Sequence, residues 1–360
     1  MRVRIAISIA VLALAVRAAA QDDAVPPAPR ADFRYSLSVL NDATVYGNLQ
    51  APLPGTLNQV LVEQAFTLHY RERWTLAVSA VSDTQSYGDT HENVHLKESY
   101  LGLSAGDFDF MAGRRLVRWG TGYAFTPAGV LDPPRIPTNP TDRLNTNVGR
   151  DMAKVDFVHG SQAMQLAWST AAWAPAGSGL HDTTAFRYNV LVRGFDTSLI
   201  ASHDRGGDSE GALTFTRVFG QGLEVHGEAV WRDEAAILLG GKYVLTNGVT
   251  FIGEFYTPPN TAYFRDRTVS PRAGRQHYGF IDASKSRLRE LPGWKEWDLD
   301  AYIVTNLDDH SATTAFDATR RFGNHFSAYV HGEFPTGSAK SEYGATPYKS
   351  ATSMGVRFQL

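Results

Sequence analysis

Apolar and polar side chains alternate with a period of two in stretch after stretch of this 360-residue chain, beginning near Phe33. In 297–304, for example, the odd-numbered positions hold Trp, Leu, Ala and Ile, whereas the even-numbered ones begin with two Asp. A period of two places the two sets on opposite faces of a β-sheet. A soluble sandwich of two sheets also alternates, but here charged and small residues occupy one face throughout and no helical pattern covers the other. The alternation therefore predicts an all-β chain whose strands separate a polar lumen from lipid.

The connections between these stretches are of two kinds. Short ones, such as 105–107 and 219–222, carry turn residues that supply the positive φ of tight hairpins. Longer ones lie near 47–57, 84–91, 119–150, 174–182, 259–274 and 336–347. This layout predicts a transmembrane antiparallel β-barrel of about 18 strands. The alternative is 16, because 197–204 and 275–286 have the weakest patterns. The predicted strands are 33–46, 58–70, 74–84, 92–104, 108–118, 151–159, 162–173, 183–194, 197–204, 209–218, 222–232, 235–244, 249–257, 275–286, 295–306, 312–321, 325–335 and 348–360.

The first 20 residues have the pattern of an export signal. Arg2 and Arg4 precede an apolar run over 5–16 and small residues at 18–20, which together predict cleavage before Gln21.

The composition of the mature chain excludes some functions. Removal of three Arg and no acid with the signal takes the formal net charge from −3 to −6, which argues against nucleic acid as a partner. The chain has no Cys, so a disulfide framework and thiolate metal sites are excluded. The predicted organisation is a signal peptide (1–20), a short periplasmic N-terminal segment (21–32) and the barrel (33–360).

The alternation also predicts the environment of individual side chains. We expect the lipid-facing positions to include Phe33, Tyr35, Leu223, Trp231, Trp297, Leu299, Met354 and Phe358. The lumen wall is expected to carry Glu98, Arg187, Arg193, Glu228, Glu254, Asp298, Asp300, Glu333 and Arg357. A register shift of one residue would exchange the two sets.

The segment 119–150 interrupts the strand pattern with neither a strand period nor a helix period. It contains five of the 17 prolines and apolar residues such as Trp119, Phe125 and Leu131. A connection of this length is usually functional or disordered, and the apolar residues argue against disorder. Because so many apolar side chains are costly to leave in solvent, we expect the segment to fold into the mouth of the barrel.

Two parts of the chain resemble porin-like outer-membrane barrels. Glu98-Ser-Tyr100, followed by the segment 113–120 (GRRLVRWG), is similar to the E-x-Y and G-R-x-x-V-x-W-G segments that precede a Pro-rich loop in those barrels. The last strand resembles their closing strand, with Leu360 where they usually end in Phe. The resemblance implies a channel in the bacterial outer membrane, recognised through its C-terminal strand by the barrel-assembly machinery. Its partners are then lipid and small polar solutes. No cofactor is implied, and a homo-oligomer stays open.

In classical porins the third external loop follows the fifth strand and bends inward, so the resemblance implies that 119–150 narrows the pore. The expected constriction residues are Arg114, Arg115, Arg118, Trp119, Tyr123, Phe125, Asp132, Arg135, Asp142, Arg143 and Arg150. The loop is rich in Arg, and the wall that it should face, on strands 13 to 17, carries Glu254, Asp298, Asp300 and Glu333. Opposed charge predicts a transverse field across the gap. Two alternatives stay open. The loop caps an open pore from outside, or the arginines only pair with Asp132, Asp142 and Asp151 to hold the loop.

Signs of catalysis are weaker. The segment 308–310 (DDH) and the Asp–His neighbours at 181–182 and 203–204 lie at strand ends, where such groups are usually solvated. Asp308 and Asp309 offer hard oxygen ligands that suit calcium, but no catalytic or metal-binding residue is predicted. The alternative function is a barrel without a transport role, either a hydrolase at its mouth or a structural or adhesive surface protein.

Overall fold

The computed structural model describes residues 31–49, 54–87, 89–133, 135–172, 181–207, 209–232, 234–258, 277–289, 291 and 293–360. The predicted signal peptide and most of the predicted N-terminal segment lie outside the described residues. Ala31 and Asp32 of that segment already belong to the first strand. Within the described ranges, no helix is both long enough and apolar enough to cross a membrane.

Antiparallel strands form one sheet that closes on itself. In chain order they are β1 (Ala31–Gly47), β2 (Thr56–Tyr70), β3 (Trp74–Tyr87), β4 (Asp89–Ala105), β5 (Phe108–Arg115), β6 (Arg150–His159), β7 (Gln162–Thr170), β8 (Thr183–Val192), β9 (Phe195–Asp204), β10 (Ser209–Phe219), β11 (Leu223–Trp231), β12 (Ala235–Val244), β13 (Thr250–Thr257), β14 (Tyr278–Lys285), β15 (Trp297–Asn306), β16 (Ser311–Phe322), β17 (Phe326–Thr336) and β18 (Ser350–Gln359). Each strand pairs with its neighbours along the chain, and β1 pairs with β18 to close the barrel. The predicted barrel of 18 strands is confirmed, and the two weakest segments form β9 and β14.

The two faces of the sheet differ in exposure as the alternation predicts. On β12 the outward Leu239 is 53% exposed and the inward Leu238 is 0% exposed, and on β14 the values are 61% for Ile281 and 1% for Phe280. All eight predicted lipid-facing side chains lie on the outward face of their strands. Outward aromatic residues collect at both ends of the strands, which is the arrangement of a membrane-spanning barrel. Examples are Trp74, Phe108, Phe219 and Tyr243 at one end and Trp168, Trp231, Phe255 and Phe334 at the other.

The barrel has a turn end, where most connections are tight, and a loop end, where the long connections lie. At the turn end, Arg71 and Glu72 adopt positive φ, as do several glycines such as Gly106 and Gly220, because tight hairpins need the left-handed conformation. One prediction about connections is wrong: the link predicted at 84–91 is a tight hairpin between Tyr87 and Asp89. At the turn end, the connection 286–296 is longer than its neighbours, as the predicted strands on either side of it imply.

The connection between β5 and β6, residues 116–149, is named the inward loop because it contacts inward side chains of the barrel. Its departure depends on Gly113, which has φ 126° and whose added Cβ would lie 2.2 Å from the carbonyl oxygen of Ser99. No other residue type fits this conformation and this approach without strain. After this glycine, Arg114 and Arg115 still pair with β6, and the chain leaves the sheet from residue 116 onward.

A charge on the lipid-facing surface should cost stability according to its depth. Leu239→Arg, in the middle of β12, is expected to destabilise the barrel by roughly 2–4 kcal/mol, whereas a charge near the interface costs about 0–1 kcal/mol. Leu223→Arg, at the first residue of β11 and also outward, is the matched control at the turn end. Unfolding by denaturant in lipid vesicles measures both. Equal losses at the two positions would contradict the outward register or the depth assigned to the strands.

Candidate functional site

The first half of the inward loop, residues 116–132, is held by the carboxylate of Glu228 on β11. The backbone N–H groups of Thr121, Gly122 and Ala128 donate to it, with distances of 3.0 Å from Gly122 and 2.7 Å from Ala128. The Thr121 hydroxyl adds a hydrogen bond of 3.1 Å. Glu228 is only 2% exposed, and a buried carboxylate is costly unless it is hydrogen-bonded. Four donors of the loop replace the water molecules that would otherwise hydrate this carboxylate, and the carboxylate in turn provides acceptors for the loop N–H groups.

Glu254 on β13 repeats this arrangement two strands away. The backbone N–H groups of Tyr123, Ala124 and Phe125 donate to its two oxygens, at 2.9 Å from Ala124 and 3.3 Å from Phe125. The ring Nε2 of His226 lies 3.0 Å from Oε1 of Glu254. Successive N–H groups that converge on an anion form a nest. The two wall carboxylates therefore bind consecutive N–H groups of a loop that has no strand partner.

A third carboxylate, Asp132, belongs to the loop itself. It accepts hydrogen bonds from the backbone N–H of Trp119 at 2.6 Å and of Gly120 at 3.2 Å. Burial raises the pKa of Asp132 to about 7, although these two hydrogen bonds act in the opposite direction and the nearby Glu228 adds to the rise. Asp132 thus folds the first half of the loop back on itself.

Apolar side chains of the loop fill the space beside these anchors. Trp119, Phe125, Val130 and Leu131 are at most 2% exposed. They belong to one buried cluster with small inward wall residues, which leave room for them: Ala167, Ala185, Ala212 and Ala236. At Gly122 an added Cβ would lie 1.9 Å from the carbonyl oxygen of Phe125. The tight packing of the loop on the wall therefore excludes any side chain there.

Aromatic residues of β13 to β15 support the loop from the other side. The Phe125 ring centroid lies 4.9 Å from that of Tyr256 and 6.0 Å from that of Tyr278. The Tyr302 hydroxyl donates to the carbonyl oxygen of Thr138 at 2.7 Å. Buried tyrosines commonly combine ring packing with one hydrogen bond in this way. The loop consequently covers this aromatic wall, and the rings are not free to contact a solute.

The second half of the loop, residues 133–149, crosses to the opposite part of the wall. The Arg143 guanidinium forms an ion pair with Asp42 on β1 and donates to the Tyr329 hydroxyl on β17 at 2.8 Å. Arg357 on β18 donates to the carbonyl oxygen of Arg143 at 2.6 Å. Burial acts to lower the pKa of Arg143, but Tyr329, Asp42 and Asp317 outweigh it and raise that pKa. The arginine is therefore held in an acidic part of the barrel.

The loop returns along β2 and β4 before it enters β6. Lys97 lies at a register shift between β3 and β4, is 5% exposed, and donates to Glu63 at 3.2 Å and to the carbonyl oxygen of Asn145 at 3.3 Å. The Asn145 amide donates to Glu63, and the Gly149 N–H donates to the Lys97 carbonyl at 2.9 Å. The inward loop thus touches β1, β2, β4, β11, β13, β15, β17 and β18, well beyond the predicted target of strands 13 to 17.

The predicted constriction arginines have different environments. Arg114 forms an ion pair of 2.5 Å with Asp151, and Arg115 lies 4.7 Å over the Tyr100 ring. Arg135 donates to two loop carbonyls, at 3.0 Å and 3.4 Å, and burial lowers its pKa. Arg118 is exposed, and Arg150 is the first residue of β6. Most of these groups are therefore used within the fold.

The remaining predicted loop residues also make local contacts. The Tyr123 hydroxyl donates to Glu224 at 3.0 Å. Asp142 accepts from the N–H groups of Thr146 at 3.0 Å and Asn147 at 3.2 Å. Asp142 itself has φ 47°, so it caps a turn of the loop.

Of the predicted wall residues, only Arg193 lies outside the inward face of a strand. Arg193 lies in the turn between β8 and β9 with φ 51° and an exposed side chain, because β8 ends at Val192 before the alternation reaches it. Glu98 accepts from the Leu116 N–H at 2.9 Å, and Arg187 donates to Ser198 at 3.0 Å. Asp298 forms an ion pair of 2.5 Å with Arg321. Asp300 has an oxygen without a hydrogen-bond partner.

Glu333 on β17 binds a second loop, residues 337–349, which we name the closing loop. The Tyr348 hydroxyl donates to Glu333 at 3.1 Å. Within the closing loop, Glu342 accepts from the Tyr278 hydroxyl and the Asn306 amide, each at 2.8 Å, and Tyr343 joins the buried cluster. The sequence His-Gly-Glu occurs at both 226–228 and 331–333. In both places its glutamate faces inward and binds a loop.

Two short motifs of hydrolases occur in the chain, and sequence reasoning passed over both. The segment 91–95 (HENVH) lies on β4, where residues four apart are separated by about 13 Å, whereas zinc binding by this motif needs a helix. The segment 207–211 (GDSEG) surrounds Ser209, whose hydroxyl lies 3.0 Å from Nδ1 of His203. It joins two strands rather than a strand and a helix. No cluster of three or more His, Asp or Glu residues suits a metal ion within the described residues.

Sequence reasoning also missed most of the loop's partners on the wall. Asp42, Glu63, Lys97, Tyr302 and Tyr329 all face inward, and the period of two already assigns Asp42, Glu63 and Tyr302 to the inward face. Charged or hydroxyl-bearing side chains on that face were the available signal. Their contacts with the loop depend on closure of the barrel, which brings distant parts of the chain together.

Solved structures with this fold are outer-membrane barrels. Over 92% of this chain and 99% of the other, Acinetobacter baumannii OccAB3 superposes with a TM-score of 0.62 at 6% identity. The outer-membrane porin OpdQ of Pseudomonas aeruginosa superposes with a TM-score of 0.60 at 9% identity, over 91% of this chain and 99% of that one. Escherichia coli Wzi, a carbohydrate-binding barrel involved in group 1 capsule assembly, superposes with a TM-score of 0.56 at 8% identity, over 90% of this chain and 84% of that one. No model of a known protein family and no characterised protein matches the sequence. The chain therefore has the fold of a porin-like outer-membrane β-barrel.

Removal of a wall carboxylate should loosen the part of the loop that it binds. Glu228→Ala leaves three backbone N–H groups without an acceptor, and each buried unpaired donor costs roughly 1–3 kcal/mol. We expect amide hydrogen exchange of residues 119–128 to rise about tenfold or more in the folded barrel. Hydrogen–deuterium exchange of the protein in detergent, followed by mass spectrometry, measures this exchange.

Glu333→Ala is the matched control, since it lies in the same His-Gly-Glu sequence. Its faster exchange should appear in the closing loop and not in residues 119–128. If Glu228→Ala leaves residues 119–128 unchanged, their hydrogen bonds to Glu228 do not hold the loop.

The raised pKa of Asp132 predicts that stability falls with pH on the acid side of neutrality. A carboxyl in an unfolded chain titrates near pH ~3.9, so the folded protein binds this proton more tightly than the unfolded chain does. The resulting stabilisation is fully present below pH ~3.9, declines as the pH rises, and is lost once the pH has passed the folded pKa of about 7. The unfolding temperature of the wild type should therefore fall between pH ~4 and ~7, and Asp132→Asn should remove that part of the fall. An identical pH profile in the variant would contradict the assignment.

Proposed function

We propose that the chain forms a channel through the bacterial outer membrane for the passive passage of small polar solutes, and that the inward loop narrows it. The observation that carries this is the backbone of residues 121–128, which is bound inside a closed barrel by Glu228 and Glu254. A loop that only caps the mouth needs no hydrogen bonds to inward positions of β11 and β13. The likeness in fold to outer-membrane porins supports the same function.

The charges of the channel differ from a simple opposition of loop arginines and wall acids. Glu254 is hydrogen-bonded to loop N–H groups and to His226, and Asp298 is paired with Arg321. Arg143 is paired with Asp42. The transverse field proposed for the gap therefore has fewer sources than the sequence suggests. Of the four wall acids that the loop was expected to face, Asp300 and Glu333 have no ion pair with Arg, Lys or His within the described residues, whereas Glu254 and Asp298 each have one.

A barrel without a transport role is the second candidate. The fold likeness to Wzi, described as a carbohydrate-binding barrel, is nearly as strong as that to OpdQ. The inward loop and the closing loop both occupy space inside the barrel or at its mouth, which also fits a protein that binds a ligand without passing it. Conductance of the purified protein in a planar bilayer distinguishes the two functions.

Deletion of residues 124–146 should raise single-channel conductance severalfold, because it removes most of the loop that crosses the lumen. Arg143→Ala tests the charge of the narrowed region and should shift ion selectivity toward cations. Arg193→Ala, an exposed arginine in a turn, is the matched control and should leave selectivity unchanged. Heat-dependent mobility in detergent gels verifies folding of each variant. Unchanged conductance and selectivity in folded variants would make the loop a brace or a lid and would place the constriction elsewhere.

A further inference from the structure

Two carboxyl groups on adjacent strands face each other inside the barrel. Asp282 lies on β14 and Asp300 on β15, and both follow the inward parity of their strands. Ser284 of β14 lies directly across from Asp300, and Asp282 is the next inward residue of β14, so the two carboxyl groups are diagonal neighbours on the same face of the sheet. Asp317 lies directly across from Asp300 on β16. Three acids therefore occupy neighbouring positions on one part of the wall.

The charge of this group is not compensated by the fold. Asp317 is paired with His331 at 3.0 Å. Among the described residues, neither Asp282 nor Asp300 forms an ion pair with a lysine or an arginine. This contrasts with Glu228 and Glu254, which receive several donors each. Two neighbouring carboxylates on one part of the wall repel each other unless a proton or a cation reduces their charge.

Unused hydrogen-bonding capacity points to a ligand. Asp282 is only 5% exposed, yet its Oδ1 has no hydrogen-bond partner, and Oδ1 of Asp300 also lacks one. A buried acceptor without a donor is costly and rare in a folded protein. Asp300 and Asp317 are partly exposed, so the pair is open to the lumen on one side. A positively charged group bound against the exposed part of Asp300 would balance the charge of the pair.

On the basis of the proposed channel function, we infer that Asp282 and Asp300 form a binding position for a cationic group in transit, with Asp317 beside it. The group is either a monovalent inorganic cation or the ammonium or guanidinium group of a small organic solute. It is held transiently by two carboxylates, and a conducting site has to bind weakly enough to release. The channel is therefore selective for cationic small solutes.

Reversal potentials in planar bilayers test this with two salts. Potassium chloride and guanidinium chloride, each in a tenfold gradient, probe the inorganic and the organic cation. Asp282→Asn and Asp300→Asn should each lower the cation-to-chloride permeability ratio by about twofold or more, because each removes a carboxylate from the path. If the permeability ratio of the variants falls in potassium chloride alone, the site binds inorganic cations. If the ratio falls in guanidinium chloride, the site binds organic cations.

Asp109→Asn is the matched control. Asp109 also has the inward parity of its strand, but it is exposed at the turn end of β5, where it accepts a hydrogen bond from Ser104 and has no cationic partner that would be left unpaired within the described residues. The substitution changes the net charge of the barrel by the same amount, and because Asp109 lies at the turn end, the permeability ratio should stay near the wild-type value. If the permeability ratio falls equally in all three variants, the change in net charge alone explains the effect, and the proposed site is wrong. Unchanged ratios in the Asp282 and Asp300 variants would overturn it as well, since the pair then holds only a proton. A wild type without conductance would instead overturn the proposed channel.

Discussion

Backbone N–H groups inside a barrel must find acceptors, and this constraint governs the interior of the protein. The strands satisfy theirs by pairing around the closed sheet, but the inward loop has no strand partner. Its N–H groups at 121–128 are therefore matched by the side chains of Glu228 and Glu254. A buried carboxylate without donors would be even more unfavourable than a buried N–H group without an acceptor. Together they remove both costs, and this fixes where the loop lies.

The composition of the wall follows from that placement. Alanine occupies inward positions of β7, β8, β10 and β12, where Trp119, Phe125 and Leu131 of the loop need space. Larger aromatic residues line β13 to β15, where Phe125 packs against their rings. Inward small residues are thus complementary to the loop, and substitution by large side chains there would displace it. The first half of the loop and this part of the wall therefore form one buried cluster, and Leu144 in the second half packs against a separate cluster on β1, β2, β3 and β17.

Local patterns predicted the parts of this structure that depend on local chemistry. The period of two is a property of neighbouring residues, so it located all the strands and assigned Glu228, Glu254 and Asp300 to the lumen. It failed for Arg193, because alternation does not reveal where a strand ends. It also gave no hint that Glu228 binds N–H groups more than 100 positions away in sequence, or that Arg143 reaches Asp42. These contacts arise when β1 pairs with β18 and brings both ends of the chain to the loop.

The inward acids consequently fall into two classes with different physical roles. Glu228, Glu254, Glu63 and Asp42 are each bound by donors of the inward loop, so their charge is used to position backbone and side chains. Asp282 and Asp300 receive no such donors, although they lie on the same wall. Asp42 and Glu63 are paired with Arg143 and Lys97, which balance their charge, whereas the N–H donors of Glu228 and Glu254 stabilise a negative charge without cancelling it. The number of acids that face inward is therefore not by itself a measure of the net charge inside the barrel.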